Sequence, residues 1–241
     1  MDKRQIFGLV LIVFFMTGRE AAAEDAVILP AANMISGEAP VPVIVNPHKR
    51  YLVESGIIEY VISGTQNGIE IAYFDRWGMR EARYTRSETV GLGFSNTLTV
   101  IDGEWIYMID LDKRIGNKVR NELLKKALEQ SSPGDKVPLG KRMMAIAGGE
   151  KMDKELIVEK KCDVWQIVPQ GRKFWMWNWI PLKSETKSET VDTTFAAASL
   201  QTGVMIPEEK FSIPEGIQFI EGNISDILLS LQRMPDSTLF Q

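Results

Sequence analysis

Short runs of alternating apolar and polar positions fill the chain from about residue 54 to residue 110. A period of two predicts β-strands with one buried face. The predicted strands form an antiparallel meander at residues 54–63, 68–75, 79–87, 94–101 and 104–110. Tight turns are predicted at Asn67-Gly68, at Arg76-Trp77-Gly78 and at Asp102-Gly103, because Gly, Asn and Asp adopt the backbone angles that hairpins need.

After residue 115 the spacing of the apolar residues becomes that of a helix. Apolar side chains recur at helical spacing between Gly116 and Gln130, and a Ser-Ser-Pro-Gly stretch predicts the end of that helix. Residues 139–147 predict a second short helix, and residues 223–234 predict a C-terminal helix that Pro235 ends. Strands resume at Glu155 between these helices.

Arg172 to Lys183 reads RKFWMWNWIPLK and places a tryptophan at every second position. On one strand, Trp175, Trp177 and Trp179 would share a face. The opposite face would carry Phe174, Met176 and Asn178. Both faces are largely apolar, which predicts a central strand covered on both sides. The indoles are then either packed core or the wall of a cavity for an apolar ligand.

The polar residues that follow, 183–194, predict the exposed edge of a hairpin or a solvated turn. Residues 195–204 predict a further strand.

The N-terminus has the pattern of a secretory signal peptide. A short basic region precedes an apolar run from Ile6 to Met16, and Ala21-Ala22-Ala23 suits signal peptidase. We expect cleavage after Ala23 and export, most simply to a bacterial periplasm. A membrane anchor is the alternative, but the run is about half of the ~20 residues that a spanning helix needs. Residues 24–48 predict an extended, proline-containing leader, and residues 49–241 predict a single domain.

Composition narrows the function. Removing residues 1–23 takes away three basic and two acidic residues, so the net charge of the 241-residue chain changes from −4 to −5. An acidic chain argues against nucleic acid as a partner. The hydrophobic fraction of 44% and the charged fraction of 25% are those of an ordinary globular protein. No segment after the signal peptide is long and apolar enough to span a bilayer, so we expect a protein that does not span the membrane.

Candidate catalytic chemistry is sparse. His48 is the only histidine and Cys162 the only cysteine. A Ser-His-Asp triad or a histidine-rich zinc site could be assembled around His48 only in degenerate form, and we interpret His48 as a surface residue at the end of the leader. Cys162 is interpreted as a small buried residue, with a reactive or intermolecular thiol as the alternative. Glu54, Glu59 and Glu70 alternate along strands and are interpreted as outward-facing. We therefore expect that the protein is not an enzyme and that it binds no cofactor and no metal.

Three stretches carry a family resemblance. Glu54 to Asp75 has the form SGxIxYxxSGxxxGxxxxYFD, a CxxW pair at Cys162 and Trp165 precedes WxxIPLK, and Phe211 to Gly216 reads FSIPEG. Together they resemble the outer-membrane lipoprotein-carrier superfamily, and its periplasmic relatives in particular, over roughly residues 50–222.

That resemblance implies an α+β fold: a strongly curved antiparallel sheet, an unclosed half-barrel, with helices packed on its concave face. It also implies an apolar cavity between sheet and helical lid, which would bind a lipid, an acyl chain or a lipoprotein. The candidate ligand-binding residues are Trp175, Trp177, Trp179, Trp105, Trp165 and Met144. The competing hypothesis is a cell-envelope scaffold with a filled core, which binds a protein partner through its leader or its polar edge.

Overall fold

A computed structural model describes residues 48–132 and 135–221, with side chains as far as residue 219. The predicted signal peptide, nearly all of the predicted leader and the predicted helix at 223–234 lie outside the described residues.

Twelve strands form one sheet in the described part of the chain. Their bounds are β1 Gly56–Gly64, β2 Gln66–Asp75, β3 Arg80–Thr89, β4 Gly93–Asp102, β5 Trp105–Asp110, β6 Ile115–Arg120, β7 Glu150–Ile157, β8 Lys160–Ile167, β9 Arg172–Trp177, β10 Ile180–Lys187, β11 Asp192–Thr202 and β12 Gln218–Glu221. The spatial order is β12-β6-β5-β4-β3-β2-β1-β11-β10-β9-β8-β7, with β12 and β7 at two open edges. All neighbouring pairs are antiparallel except β12 and β6. The prediction of an unclosed antiparallel sheet is confirmed.

The sheet is strongly curved. Strands β5 and β9 stand seven positions apart in it, which would separate them by roughly 34 Å in a flat sheet. Ile106 of β5 and Phe174 of β9 nevertheless line the same cavity. The inner face therefore curves around a small cavity.

Two helices follow the first six strands: α1, Glu122–Glu129, and α2, Leu139–Ile146. Asn121 caps α1, because its side-chain oxygen accepts a hydrogen bond of 2.9 Å from the backbone N–H of Leu124. The second predicted helix is confirmed. The first was predicted to begin at Gly116, and this is wrong, because residues 115–120 extend the sheet as β6. Within the described residues, no helix has the length and apolar character that crossing a membrane requires.

Helix α2 is attached to the segment that enters β1. The backbone N–H groups of Leu139 and Gly140 donate to the carbonyls of Lys49 and Arg50, at 2.7 and 3.2 Å. These bonds satisfy N–H groups that a helix start leaves without intrahelical partners. Met143 and Met144 are buried on the side of α2 that faces the sheet. A helix therefore covers the concave face, as predicted.

Two predicted turns lie elsewhere. The first hairpin turns at Gly64-Thr65, and Asn67 and Gly68 belong to β2. Asn67 still shapes this turn, since its side chain donates to the carbonyl of Gly64 at 2.9 Å. The polar stretch at 183–194 forms a hairpin, as the first of its two interpretations predicts: β10 and β11 pair through it, and residues 187–190 are exposed at its tip. Neither strand is an edge of the sheet.

The outer face has its own cover. Residues 203–217, here called the strap, cross the outer side of β3, β4 and β5. Phe211 of the strap is buried with Ala82, Leu98, Val100 and Ile109. Arg80 pairs with both Asp75 and Glu208, which anchors the strap by charge as well as by packing. The two faces of the sheet thus have separate cores.

Candidate ligand-binding cavity

A cavity of about 140 Å³ lies between the inner face of the sheet and α2. The sheet contributes residues from eight strands, and α2 contributes its buried face. Its apolar wall includes Ile101, Ile106, Met143, Met144, Phe174 and Met176. The volume is close to the ~150 Å³ of an apolar cavity that accepts benzene, so a small apolar group fits it.

The three aligned tryptophans do not share one surrounding. Strand β9 ends at Trp177, and Asn178 and Trp179 form the turn to β10 with φ angles of 49° and 66°. A two-residue hairpin of this kind requires positive φ at both positions. The turn breaks the alternation and places Trp179 on the cavity wall. The prediction that Trp175, Trp177 and Trp179 share one face of a single strand is wrong for this reason.

Trp175 and Trp177 lie on the opposite side of β9 from Phe174 and Met176, which line the cavity. Trp175 is 2% exposed and belongs to a packed cluster with Cys162, Val164 and Leu182. Its indole N–H donates to Glu155 at 2.8 Å. Lys183 and Lys173 lie over its ring at 4.1 and 4.7 Å from the centroid. Trp175 therefore has the contacts of a core residue.

The remaining candidates divide in the same way. Met144 lines the cavity. Trp165 packs against Trp179, with ring centroids 5.6 Å apart, next to the cavity wall. Trp105 stands on the opposite side of β5 from the cavity-lining Ile106, and Lys118 lies 4.4 Å from its ring centroid. The structure brings together Met144, Trp165 and Trp179, and leaves Trp105, Trp175 and Trp177 outside the cavity.

Sequence reasoning missed a buried ionic network on the cavity wall. Arg50 pairs with Glu81, Glu81 also pairs with Arg83, and Nη1 of Arg83 donates to Glu70 at 2.6 Å. Both carboxylates are 1% exposed. The outward interpretation of Glu70 is wrong, because Glu70 shares its side of β2 with the buried Ala72 and Phe74. The spacing of Glu70 from Ala72 and Phe74, at every second position, was the sequence feature from which its burial could have been predicted.

Two tyrosines and a threonine complete the network. The Tyr51 hydroxyl donates to Oε2 of Glu81 at 2.6 Å, and the Thr85 hydroxyl donates to Oε2 of Glu70 at 2.8 Å. The Tyr60 hydroxyl donates to the carbonyl of Pro181 at 2.7 Å. Each carboxylate oxygen therefore has at least one donor, as buried charges require.

Burial changes the acid-base properties of these groups. It raises the pKa of Tyr60 above its ordinary value, so the hydroxyl stays protonated. Burial opposes the charge on Arg83, but Glu70, Tyr60 and Tyr51 together outweigh it and hold the pKa of Arg83 above its ordinary value. Burial lowers the pKa of Arg172, another residue of the wall, to about 10. Outside the cavity, burial raises the pKa of the Cys162 thiol to about 11.

Among the described residues, no three His, Cys, Asp or Glu side chains are grouped so that they could hold a metal ion. The cavity offers apolar surface and a fixed polar network, an arrangement suited to binding a small or elongated molecule.

No family model matches the chain, and no curated relative matches it. Three solved structures illustrate what the fold is similar to. A conserved protein of uncharacterized function from Thermus thermophilus is 9% identical, with a TM-score of 0.44 over 71% of this chain and 92% of that one. MucB is 14% identical, with a TM-score of 0.36 over 72% and 61% of the two chains.

The third is a domain from Vibrio parahaemolyticus, described provisionally as an outer membrane lipoprotein-sorting protein. It is 10% identical, with a TM-score of 0.29 over 66% of this chain and 89% of that one. A domain described as lipoprotein-sorting is among the structures that the chain is similar to, and the likeness is one of fold.

Proposed function

We propose that the protein is a binding or carrier protein of the cell envelope that holds an apolar molecule between the curved sheet and α2. The observation that carries this proposal is the cavity itself, which is lined by residues of eight strands and a short helix. Burial of an alkyl group against methionine and aromatic side chains would supply the affinity, at roughly 25 cal/mol per Å². The envelope location rests on the predicted signal peptide.

A scaffold with a closed interior is the second candidate. The observation in its favour is size, since about 140 Å³ is below the ~300–1,000 Å³ of typical ligand pockets. In that case the cavity would be a packing defect, and the protein would act through its surface.

Native mass spectrometry tests the proposal. The full chain, including its predicted signal peptide, is expressed so that the protein is exported, and the protein is purified without detergent. Its mass is measured before and after organic extraction. We expect an added mass that passes into the organic phase. Met143→Trp narrows the cavity from the α2 side and should reduce the added mass several-fold.

Met205→Trp is the matched control, because Met205 is 95% exposed in the strap. The same substitution there should leave the added mass unchanged. A bare protein mass in all three proteins, still bare after incubation with phospholipid vesicles, would overturn the proposal in favour of the scaffold.

A further inference from the structure

The ionic network of the cavity has more hydrogen-bond donors than its carboxylates engage. A guanidinium carries five N–H groups. The bonds of Arg83 to Glu81 and Glu70 use its Nε and Nη1 atoms, so Nη2 donates to neither carboxylate. The side chain lines the cavity and keeps 18% of its surface accessible. Its guanidinium is therefore within reach of a molecule in the cavity.

Arg50 also has an N–H donor that neither carboxylate engages. The residue is 6% exposed and lines the cavity, and its Nε–H has no acceptor among the described residues. An N–H group that is buried without an acceptor costs free energy, which a ligand oxygen would recover. The Nε–H of Arg50 is therefore a donor of the cavity wall that the protein itself leaves without an acceptor among the described residues.

Both carboxylates of the network are engaged. Glu70 accepts from Arg83 and Thr85, and Glu81 accepts from Arg50, Tyr51 and Arg83. A ligand that brings only donors would find each of these carboxylate oxygens already bonded. A ligand that brings an oxygen acceptor would find N–H groups that the carboxylates leave over.

We infer that the ligand is a single-chain amphiphile whose head carries a hydrogen-bond-accepting oxygen, with the head at Arg83 and Arg50 and the alkyl chain against Met143, Met144, Phe174 and Trp179. This inference rests on the proposed function and names its ligand class. A volume of about 140 Å³ suits one chain rather than two. The network itself balances two guanidinium groups with two carboxylates, so either a carboxylate or an ester carbonyl can supply the oxygen.

The test compares four ligands of equal chain length by isothermal titration calorimetry on the delipidated full-chain protein. The ligands are octanoate, methyl octanoate, octane and octylammonium. We expect octanoate to bind roughly ten- to a hundredfold more tightly than octane, because a hydrogen bond to a charged group is strong in a desolvated site. Octylammonium should bind more weakly than octane.

The ester distinguishes two sources of the oxygen. Tight binding of methyl octanoate as well as octanoate identifies an acceptor oxygen as the recognised group, as in an esterified lipid. Tight binding of octanoate alone identifies a free carboxylate. Equal binding of all four ligands overturns the inference and leaves the proposed function standing. Binding of none of them overturns both.

Arg83→Lys is the diagnostic variant, because lysine keeps the charge but replaces the planar fork with a single ammonium. We expect the affinity for octanoate to fall about tenfold more than the affinity for octane. Arg86→Lys is the matched control, since Arg86 is exposed on the same strand. If Arg83→Lys does not fold, the four-ligand series on the unsubstituted chain decides the question alone.

Discussion

Trp175 and Trp179 stand four positions apart and meet different surroundings. Trp175 is buried and its indole N–H donates to Glu155, so its only polar group already has a partner within the protein. Trp179 sits in a turn at a φ of 66° and lines the cavity. Positive φ is unusual for a bulky residue, and such angles cluster at functional sites. The same residue type therefore serves packing at one position and the cavity wall at the other.

Phenylalanine substitutions separate these two roles. Trp175→Phe removes the bond to Glu155 and leaves a small void, so we expect the free energy of unfolding to fall by about 1–2 kcal/mol with the bound mass unchanged. Trp179→Phe should reduce the bound mass several-fold at a smaller cost in stability. Urea unfolding and native mass spectrometry measure the two effects. If Trp175→Phe instead releases the ligand from a folded protein, the assignment of Trp175 to the core is wrong.

At the scale of elements, alternation located most strands, but it could not locate every turn. The Asn67-Gly68 pair that predicted the first turn lies two residues beyond the observed turn. Gly68 has a different role in the structure, because the strands approach closely there and a Cβ would lie 2.1 Å from the carbonyl oxygen of Arg86. The turn at Asn178-Trp179 was hidden because tryptophan is not a turn residue. Its position determines which tryptophan faces the cavity.

The cavity was predictable only in outline. The resemblance and the aromatic stripe indicated an enclosed apolar site, and Met144 was correctly placed on the helix above it. The sequence analysis did not predict the ionic network on the cavity wall. Alternation divides the residues of a strand between two faces, but by itself it does not show which face is buried. Arg50, Glu81 and Arg83 meet only when β3 and the segment before β1 are brought together.

Helix α2 depends on a glycine for its contact with the rest of the fold. A Cβ at Gly140 would lie 2.6 Å from the carbonyl oxygen of Arg50 and 2.9 Å from Cβ of Trp179. Gly→Ala inside a helix normally raises stability by about 1 kcal/mol. We expect Gly140→Ala to lower it instead, because α2 must move away from both groups, and to weaken ligand binding.

Ala145→Gly provides the comparison, since Ala145 is exposed on the same helix. That variant should lose about 1 kcal/mol through helix propensity alone and keep its bound mass. Thermal unfolding and native mass spectrometry report both quantities. A stabilised Gly140→Ala protein with full ligand content would show that the close contact of α2 is not required.

At the scale of the whole molecule, each face of the sheet has a cover of its own. Helix α2 lies over the inner face and the cavity, whereas the strap lies over the outer face. The hydroxyl of Tyr84 on β3 donates to the carbonyl of Lys210 in the strap at 2.9 Å. Because Leu98 and Thr99 point to opposite sides of β4, one strand supplies both the outer core and the cavity wall. Loss of the outer cover should therefore affect stability before it affects the cavity.

Phe211→Ala tests this separation. Phe211 is 7% exposed and packs on the outer core, so its truncation should lower the free energy of unfolding by about 3–5 kcal/mol. Met205→Ala, in the exposed part of the same strap, should cost less than about 0.5 kcal/mol. The folded fraction of both variants should retain the bound mass in native mass spectrometry, because the cavity wall is on the other side of the sheet. A folded Phe211→Ala protein without ligand would show instead that the strap controls the shape of the cavity through the sheet, so that the two covers act as one unit.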